Sequence, residues 1–409
     1  MMITDFHMTT GISGMLNPAK NKGPLVMVLG IRPDVIRASI ILRELRSKLG
    51  NNFKLIWSGQ HYSDNLKDIF FRELEVEPPD VDLQISGSTD AELVSSMILN
   101  LSSALIDLNP VAVVFLGDTN TVTGTLAAAQ LNIPIIHIEG CMRSYDWRMP
   151  EEKYRTIADH LSDSIYAYLE EYKQQGIAEG IPDENIIVTG NPIVDVLEEN
   201  FLSGKLRLKQ DKLDNLLGDK YKVISKDYYL MTCHRRENIE NRNSLVNIMA
   251  LAEKLAKKVL FPAGYRTQKQ LTLFDIPIPK NVQMFDPVGY LELLELISSS
   301  KGVLSDSGTV VEETAVLGIP TIQMRKSTER PQVYEFGSAV KFDPAGETSI
   351  EDAISRFRAI IPNSWKHKFG DGKASYRISE DLVRKFQSLD FSGHQMEKYL
   401  PFSASSFRN

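Results

Sequence analysis

Short, continuously apolar runs alternate along this chain with longer segments whose apolar residues recur at helical spacing. The first run, 24–30 (PLVMVLG), has no polar interruption and ends at glycine. That is the pattern of a strand buried on both faces of a parallel sheet. After it, Val35, Ile36, Ile40, Leu42, Leu45 and Leu49 fall mostly on one helical face, which predicts a helix docked on the sheet. The alternation repeats, with strands predicted at 53–58, 111–116, 133–138, 164–169 and 186–189 and helices around 91–108 and 121–130. After Asn191-Pro192 the texture changes to a Glu/Leu/Lys-rich helix reaching Leu217. A second strand series is then predicted at 228–233, 257–261, 281–285, 301–305, 319–324 and 339–343. Ile378, Leu382, Val383 and Phe386 keep helical spacing in a last predicted helix.

Two sets of about six β/α units predict an α/β chain of two Rossmann-like doubly wound domains facing across a cleft. The boundaries fall at a tail 1–23, an N-terminal domain 24–192, a C-terminal domain 193–374 and a closing helix 375–400. A length of 409 residues suits two such domains. Lys+Arg 46 against Asp+Glu 53 gives a net charge of −7, which leaves no footprint for nucleic acid or an anionic membrane. A local basic site for a small anion stays open. Cys141 and Cys233 are too few for a disulfide framework or a four-cysteine zinc site. No apolar run is expected to approach a membrane span, and the first 24 residues lack a signal-peptide core. A soluble, cytoplasmic protein is therefore expected.

The chemistry-bearing residues sit at predicted strand ends, where doubly wound folds bind ligands. Gly30-Ile31-Arg32 offers helix-start amides and a cation, an anion clamp. No GxGxxG or Walker A pattern accompanies it. Asp118 follows an apolar strand, where burial is expected to raise its pKa, although capping the next helix explains it as well. Glu139 is harder to explain as structure, being a poor turn former. His137 reads as a satisfied core histidine. Pro150 opens a helix with Glu151 and Glu152 in its first turn, a sufficient structural role for one of the two. Close carboxylates split their pKa values into an acid and a base. In the second half, His234-Arg235-Arg236 concentrates donors for a phosphate, Ser307-Gly308 opens a helix, and Glu313 lies on its second turn. Acids in one domain and phosphate groups in the other suit chemistry on a sugar carried by a diphosphate.

In order and spacing, GIRPD at 30, SGQH at 58, GDTN at 117, HIEG at 137, MPEE at 149, HRRE at 234, SDSG at 305, TERP at 328 and FGDG at 369 resemble the UDP-N-acetylglucosamine 2-epimerases. The resemblance spans nearly the whole predicted fold. It implies a GT-B-like pair of domains, the second binding nucleotide, with the last helix crossing back to the first. It also implies no metal, no redox cofactor, a UDP-sugar substrate and a homodimer. The family reaction removes the proton on sugar carbon 2 while UDP leaves carbon 1, holds a 2-acetamidoglucal, and returns the proton on the other face.

Carried over by motif, the resemblance implies a catalytic set of Asp118, Glu139, Glu151 and His234. It implies substrate contacts at Arg32, Gln60, His61, Arg143, Arg235, Ser307, Gly308, Glu313 (on the ribose) and Arg330. There are departures. Arg37 stands where the family usually has Lys, and Asp34 where it has Glu. The loop from Arg143 to Pro150 is about two residues short. That loop, with GDTN and SDSGT, is closer to a subgroup forming UDP-N-acetyl-L-fucosamine from the 6-deoxy-talose epimer, while HRRE and FGDG point back to the N-acetylglucosamine enzymes. A non-catalytic nucleotide-sugar-binding protein and a GT-B glycosyltransferase are the other readings. An activator site known in some relatives retains Gln60 here, but Ser63 and Gly264 replace two of its polar residues.

Overall fold

The computed structural model describes residues 23–59, 71–346 and 348–391. The predicted 1–23 tail lies outside them except for Gly23. Seven strands form the first sheet: β1 Leu25–Leu29, β2 Phe53–Trp57, β3 Val81–Asp82, β4 Ala112–Leu116, β5 Ile135–Ile138, β6 Ser164–Ala167 and β7 Ile186–Val188. Six form the second: β8 Tyr228–Thr232, β9 Lys258–Pro262, β10 Val282–Phe285, β11 Gly302–Ser305, β12 Thr321–Met324 and β13 Ala339–Phe342. Every recorded pairing is parallel. The orders are β3-β2-β1-β4-β5-β6-β7 and β10-β9-β8-β11-β12-β13. Each apolar run predicted as a strand is one. The edge strand β3 was not predicted, because two residues are too few to carry a pattern.

Parallel sheets need both faces covered, so their central strands are wholly buried. Residues 25–29 and 112–116 have no exposed side chain. In each sheet the connections reverse direction between two neighbours, β1 and β4 in the first and β8 and β11 in the second. Such a reversal opens a crevice at the strand carboxyl ends. Hydroxyl pairs close the floor of each crevice: Ser58–Thr121 at 2.8 Å and Thr232–Ser305 at 2.7 Å.

The helix Asp90–Leu108 corrects one expectation, since it is long and apolar enough to cross a membrane by length and composition. It is instead a layer of the fold. Thr89 and Glu92 cap it reciprocally, Met97, Leu101 and Leu105 pack on the sheet, and Asn109 ends it in the left-handed region. The long helix expected from Pro192 to Leu217 is broken. Pro192–Val196 continues through a widened π turn, Leu197–Leu202, and stops before Gly204, whose φ is 84°. Helix resumes only at Gln210–Asp214.

The last helix, Ala374–Ser388, packs on Arg32–Leu49 of the first sheet's layer. Tyr166 donates to Asp381 at 2.7 Å and Lys385 to Ser164 at 2.8 Å, while Asp195 caps it through the Ser375 amide. Leu382 is fully buried in the shared core. Leu382→Ala is expected to cost about 2–5 kcal/mol, the range for such cavities. Urea unfolding checks this, with the midpoint lowered.

Candidate active site

The two crevices face each other, and the loops beyond them are joined. Arg236 pairs with Asp90 at 2.6 Å, Ser327 donates to Asp146 at 2.8 Å, and Tyr172 donates to Gln332 at 2.8 Å. Beyond β4, β5 and the start of the helix Pro150–Leu161 stand Asp118, Glu139 and Glu151. Beyond β8, β11 and β12 stand His234-Arg235, Ser307-Gly308 and the run to Arg330.

Glu139 is 1% exposed with φ 74°, a left-handed conformation that a side chain of this size adopts only when its surroundings hold it. Three groups hold it here. Arg330 binds one carboxylate oxygen at 2.9 Å, Arg37 binds the other, and Tyr168 donates at 3.2 Å. Arg37 also reaches Asp34 at 2.8 Å, and Asp34 accepts the Ile31 amide at 3.2 Å. One guanidinium fork thus spans two carboxylates, which the point charge of a lysine does less well. That gives the arginine at 37 a physical reason. Burial pushes the Asp34 carboxyl up to about 6 against the opposing pull of Arg37.

Asp118 differs from expectation. Burial pushes its carboxyl up, but the guanidinium groups of Arg155, Arg235 and Arg330 together outweigh that, and the net shift is downward. Arg155 also binds Glu152 at 2.7 Å. Glu152 is the structural member of its pair: it accepts from the Ser144 amide at 3.0 Å and the Tyr145 amide at 2.8 Å, pinning the loop. Glu151, half-buried, faces a cavity of about 250 Å³ whose walls include Gly30, Ser58, Thr119, Tyr154 and Arg236. Arg235 lies within electrostatic reach of Glu151 and Asp118, and Arg330 of Asp118. The three acids therefore share one cleft.

In the second domain Asp306 organises the β8 end, accepting from the amides of His234 and Arg235, each at 3.0 Å, and from Asn238 at 3.1 Å. The His234 side chain is 59% exposed, beside Asp306 at 3.3 Å. Ser307 caps the helix Gly308–Val316 through the Val310 amide. A Cβ on Gly308 would come within 2.6 Å of Arg330 Nη1, so glycine lets the guanidinium lie against the helix start. Arg32 is half-buried at the first position of its helix.

Three of the expected substrate contacts have protein partners. Arg143 is buried, spending its fork on Asp159 at 2.6 Å and Glu179 at 2.6 Å, so it supports the β5 turn. Arg330 binds Glu312 at 2.6 Å, Glu329 and Glu139, and is a hub for carboxylates. Glu313 is buried and accepts from Tyr290 at 2.8 Å, and burial pushes its carboxyl up to about 8. Gln60 and His61 lie outside the described residues, as does Ser63. Gly264 heads a helix with open space around it. His137 is, as expected, fully buried and bonded through both ring nitrogens. Both thiols are free and buried, and burial raises each. Among the described residues no trio of His, Cys, Asp or Glu is arranged for a metal ion.

Sequence reading missed Arg155, Tyr168 and Glu329. Glu151, Arg155 and Asp159 recur every four residues, one helical face, and that periodicity was the available signal. Tyr168 and Glu329 carry no such mark.

A family model described as UDP-N-acetylglucosamine 2-epimerase matches residues 43–383. A UDP-N-acetylglucosamine 2-epimerase of Methanocaldococcus jannaschii is 36% identical, the alignment covering 88% of this chain and 98% of that one. A Pseudomonas aeruginosa UDP-2,3-diacetamido-2,3-dideoxy-D-glucuronate 2-epimerase is 30% identical, over 88% of this chain and 99% of that one. A crystal structure of the M. jannaschii UDP-GlcNAc 2-epimerase in complex with UDP-GlcNAc and UDP superposes with a TM-score of 0.80 at 34% identity, covering 88% and 99%.

The raised carboxyl of Glu313 fixes the sign of a pH effect. With about 8 in the folded chain against the ordinary 4.5, the folded state keeps a proton that the unfolded chain releases. Its contribution is therefore fully present below the ordinary value and is lost as pH rises through the folded one. Glu313→Gln removes this term, and its denaturation midpoint should fall less than wild type's across that window. Parallel urea titrations at acid and mildly alkaline pH check it.

Proposed function

The chain belongs to the UDP-N-acetylglucosamine 2-epimerase family, and we propose that it interconverts UDP-N-acetylglucosamine and UDP-N-acetylmannosamine without hydrolysis. One carboxylate takes the proton from sugar carbon 2, and the carbon 1–oxygen bond breaks. UDP leaves with that electron pair, giving 2-acetamidoglucal. A second acid returns the proton to the opposite face, and UDP adds back. No net oxidation occurs, so no redox partner is needed.

What supports this reading is that Asp118, Glu139 and Glu151 stand at the strand-end crevice of one domain while His234-Arg235 and Ser307-Gly308 stand at that of the other. The carbon 2 proton is weakly acidic, so much of the barrier falls to stabilising the departing diphosphate. His234, Arg235 and the amides at Ser307-Gly308 are suited to that work, with Arg32 across the cleft. Asp118, kept ionised by Arg155, accepts a proton without first losing one. The buried, protonated Glu313 is suited to donate to a ribose hydroxyl if Tyr290 releases it. The choice of UDP-N-acetylglucosamine rests on the M. jannaschii relative and its complex; the P. aeruginosa relative marks how far substrates vary in the family. The two free, buried thiols suit a reducing cytoplasm.

We also propose a homodimer built on the helix Asp90–Leu108. Its outer face exposes Leu99 at 69% and, two turns on, Ile106 at 57%. A second copy of the same surface would cover this row. Leu99→Glu with Ile106→Glu is expected to give monomers by sedimentation velocity; an unchanged species would move the interface elsewhere.

In deuterium oxide, wild type should place solvent deuterium at carbon 2 of UDP-N-acetylglucosamine. Exchange confined to the 6-deoxy-talose substrate would reassign the sugar, and none with either would leave a binding protein or transferase. Asp118→Asn, Glu139→Gln and Glu151→Gln should each lower turnover by at least ~100-fold, the scale of acid/base effects. Turnover like wild type's removes that residue from the catalytic set.

A further inference from the structure

Behind the acids lies a fully buried pair that the reaction does not use. His137 Nδ1 is 2.7 Å from an Asp159 oxygen, and His137 Nε2 is 2.8 Å from the Gly117 carbonyl oxygen. Both partners are acceptors. A neutral imidazole has a proton on only one nitrogen and would aim a lone pair at the other oxygen. Asp159 is held as a carboxylate by the Arg143 guanidinium, 2.6 Å from its second oxygen, which also accepts from the Cys141 amide at 2.9 Å. Burial pushes the Asp159 carboxyl up, but His137 and Arg143 outweigh it and the net shift is downward. We infer that His137 is a buried imidazolium, and that with Asp159 it forms a positioning pair presenting Asp118 and Glu139 to the cleft.

The pair grips both loops. Gly117, whose carbonyl His137 holds, immediately precedes Asp118. Cys141, whose amide Asp159 holds, follows Glu139 by two residues. Gly117, Glu139 and Cys141 have φ of 85°, 74° and 64°, so the gripped backbone needs outside support to keep its shape. Gly140 between them carries no Cβ because one would meet Ile165 Cγ2 at 2.3 Å, Asp159 Oδ1 at 2.6 Å and His137 Nδ1 at 3.2 Å. The turn is therefore built around the pair.

The charges close. His137 and Arg143 are the cations, Asp159 and Glu179 the anions, and His160 sits 3.6 Å from Glu179 at the outer end. Three elements contribute these groups: β5 with its following turn, the helix Pro150–Leu161, and the end of the helix Glu170–Ala178. A neutral sum with every member paired is what allows His137, Arg143 and Asp159 to be buried together, with Glu179 part-exposed at the edge.

This inference rests on the epimerase reading only for what the gripped acids do; the charge on His137 is independent of it. Nitrogen NMR of the full chain labelled at histidine, assigned with His137→Gln, should show both ring nitrogens of His137 protonated. A neutral tautomer there overturns the inference. Asp159→Asn should lower kcat by ~10–100-fold with KM and UDP affinity within about threefold, the signature of misplaced groups. A merely structural residue would lower the melting temperature and leave kcat per folded enzyme unchanged, which also overturns it. If Asp159→Asn does not fold, the wild-type spectrum decides. Failure of the epimerase reading shows separately, as wild type without carbon 2 exchange.

Discussion

Carboxylates crowded into a water-poor cleft repel one another and are costly to desolvate, and here guanidinium groups are threaded between them. Arg37 joins Asp34 to Glu139, Arg155 joins Glu152 to Asp118, and Arg330 joins Glu139 to Glu312 and Glu329. Removing one partner of such a set strands a buried charge, at a cost of about 3–5 kcal/mol. The rest of the site depends on this lattice. It allows Glu139 its left-handed backbone, it holds Asp118 ionised, and through Arg330 it ties the two domains together. The Gly308 helix start has no side chain because Arg330 lies there.

The lattice also separates two kinds of acid. Asp118 is drawn down by neighbouring cations, whereas burial pushes Glu313, hydrogen-bonded to the Tyr290 hydroxyl and beside Glu312, up to about 8. Near neutral pH one is a carboxylate and the other an acid. Environments that push like groups apart are how a fold assigns proton acceptors and donors.

Most of the fold was legible in the sequence because buried parallel strands must be continuously apolar. The runs at 24–30 and 111–116 could hardly be anything else. The two-residue β3 and the break at Gly204 were not legible: one is too short to show a period, and the other turns on a single backbone angle. The acids were legible by position, at the ends of apolar runs. Their surroundings were not. Nothing adjacent to Asp118 announces Arg155, which arrives from a helix 37 residues on. Burial alone therefore gave the wrong sign for Asp118. Arg143 and Arg330 were expected as substrate contacts from the motif resemblance alone, and only the folded chain reveals the carboxylates they serve.

The most direct measurement follows the oxygen that joins carbon 1 to the diphosphate. UDP-N-acetylglucosamine carrying oxygen-18 at that bridge is incubated with the enzyme, and the phosphorus spectrum is followed. Elimination and re-addition free the β-phosphate to rotate while UDP is detached, so the label should scramble into the non-bridging positions as epimerisation proceeds. A label that stays wholly in the bridge while UDP-N-acetylmannosamine accumulates would mean that the carbon 1–oxygen bond never breaks, and would contradict elimination of UDP.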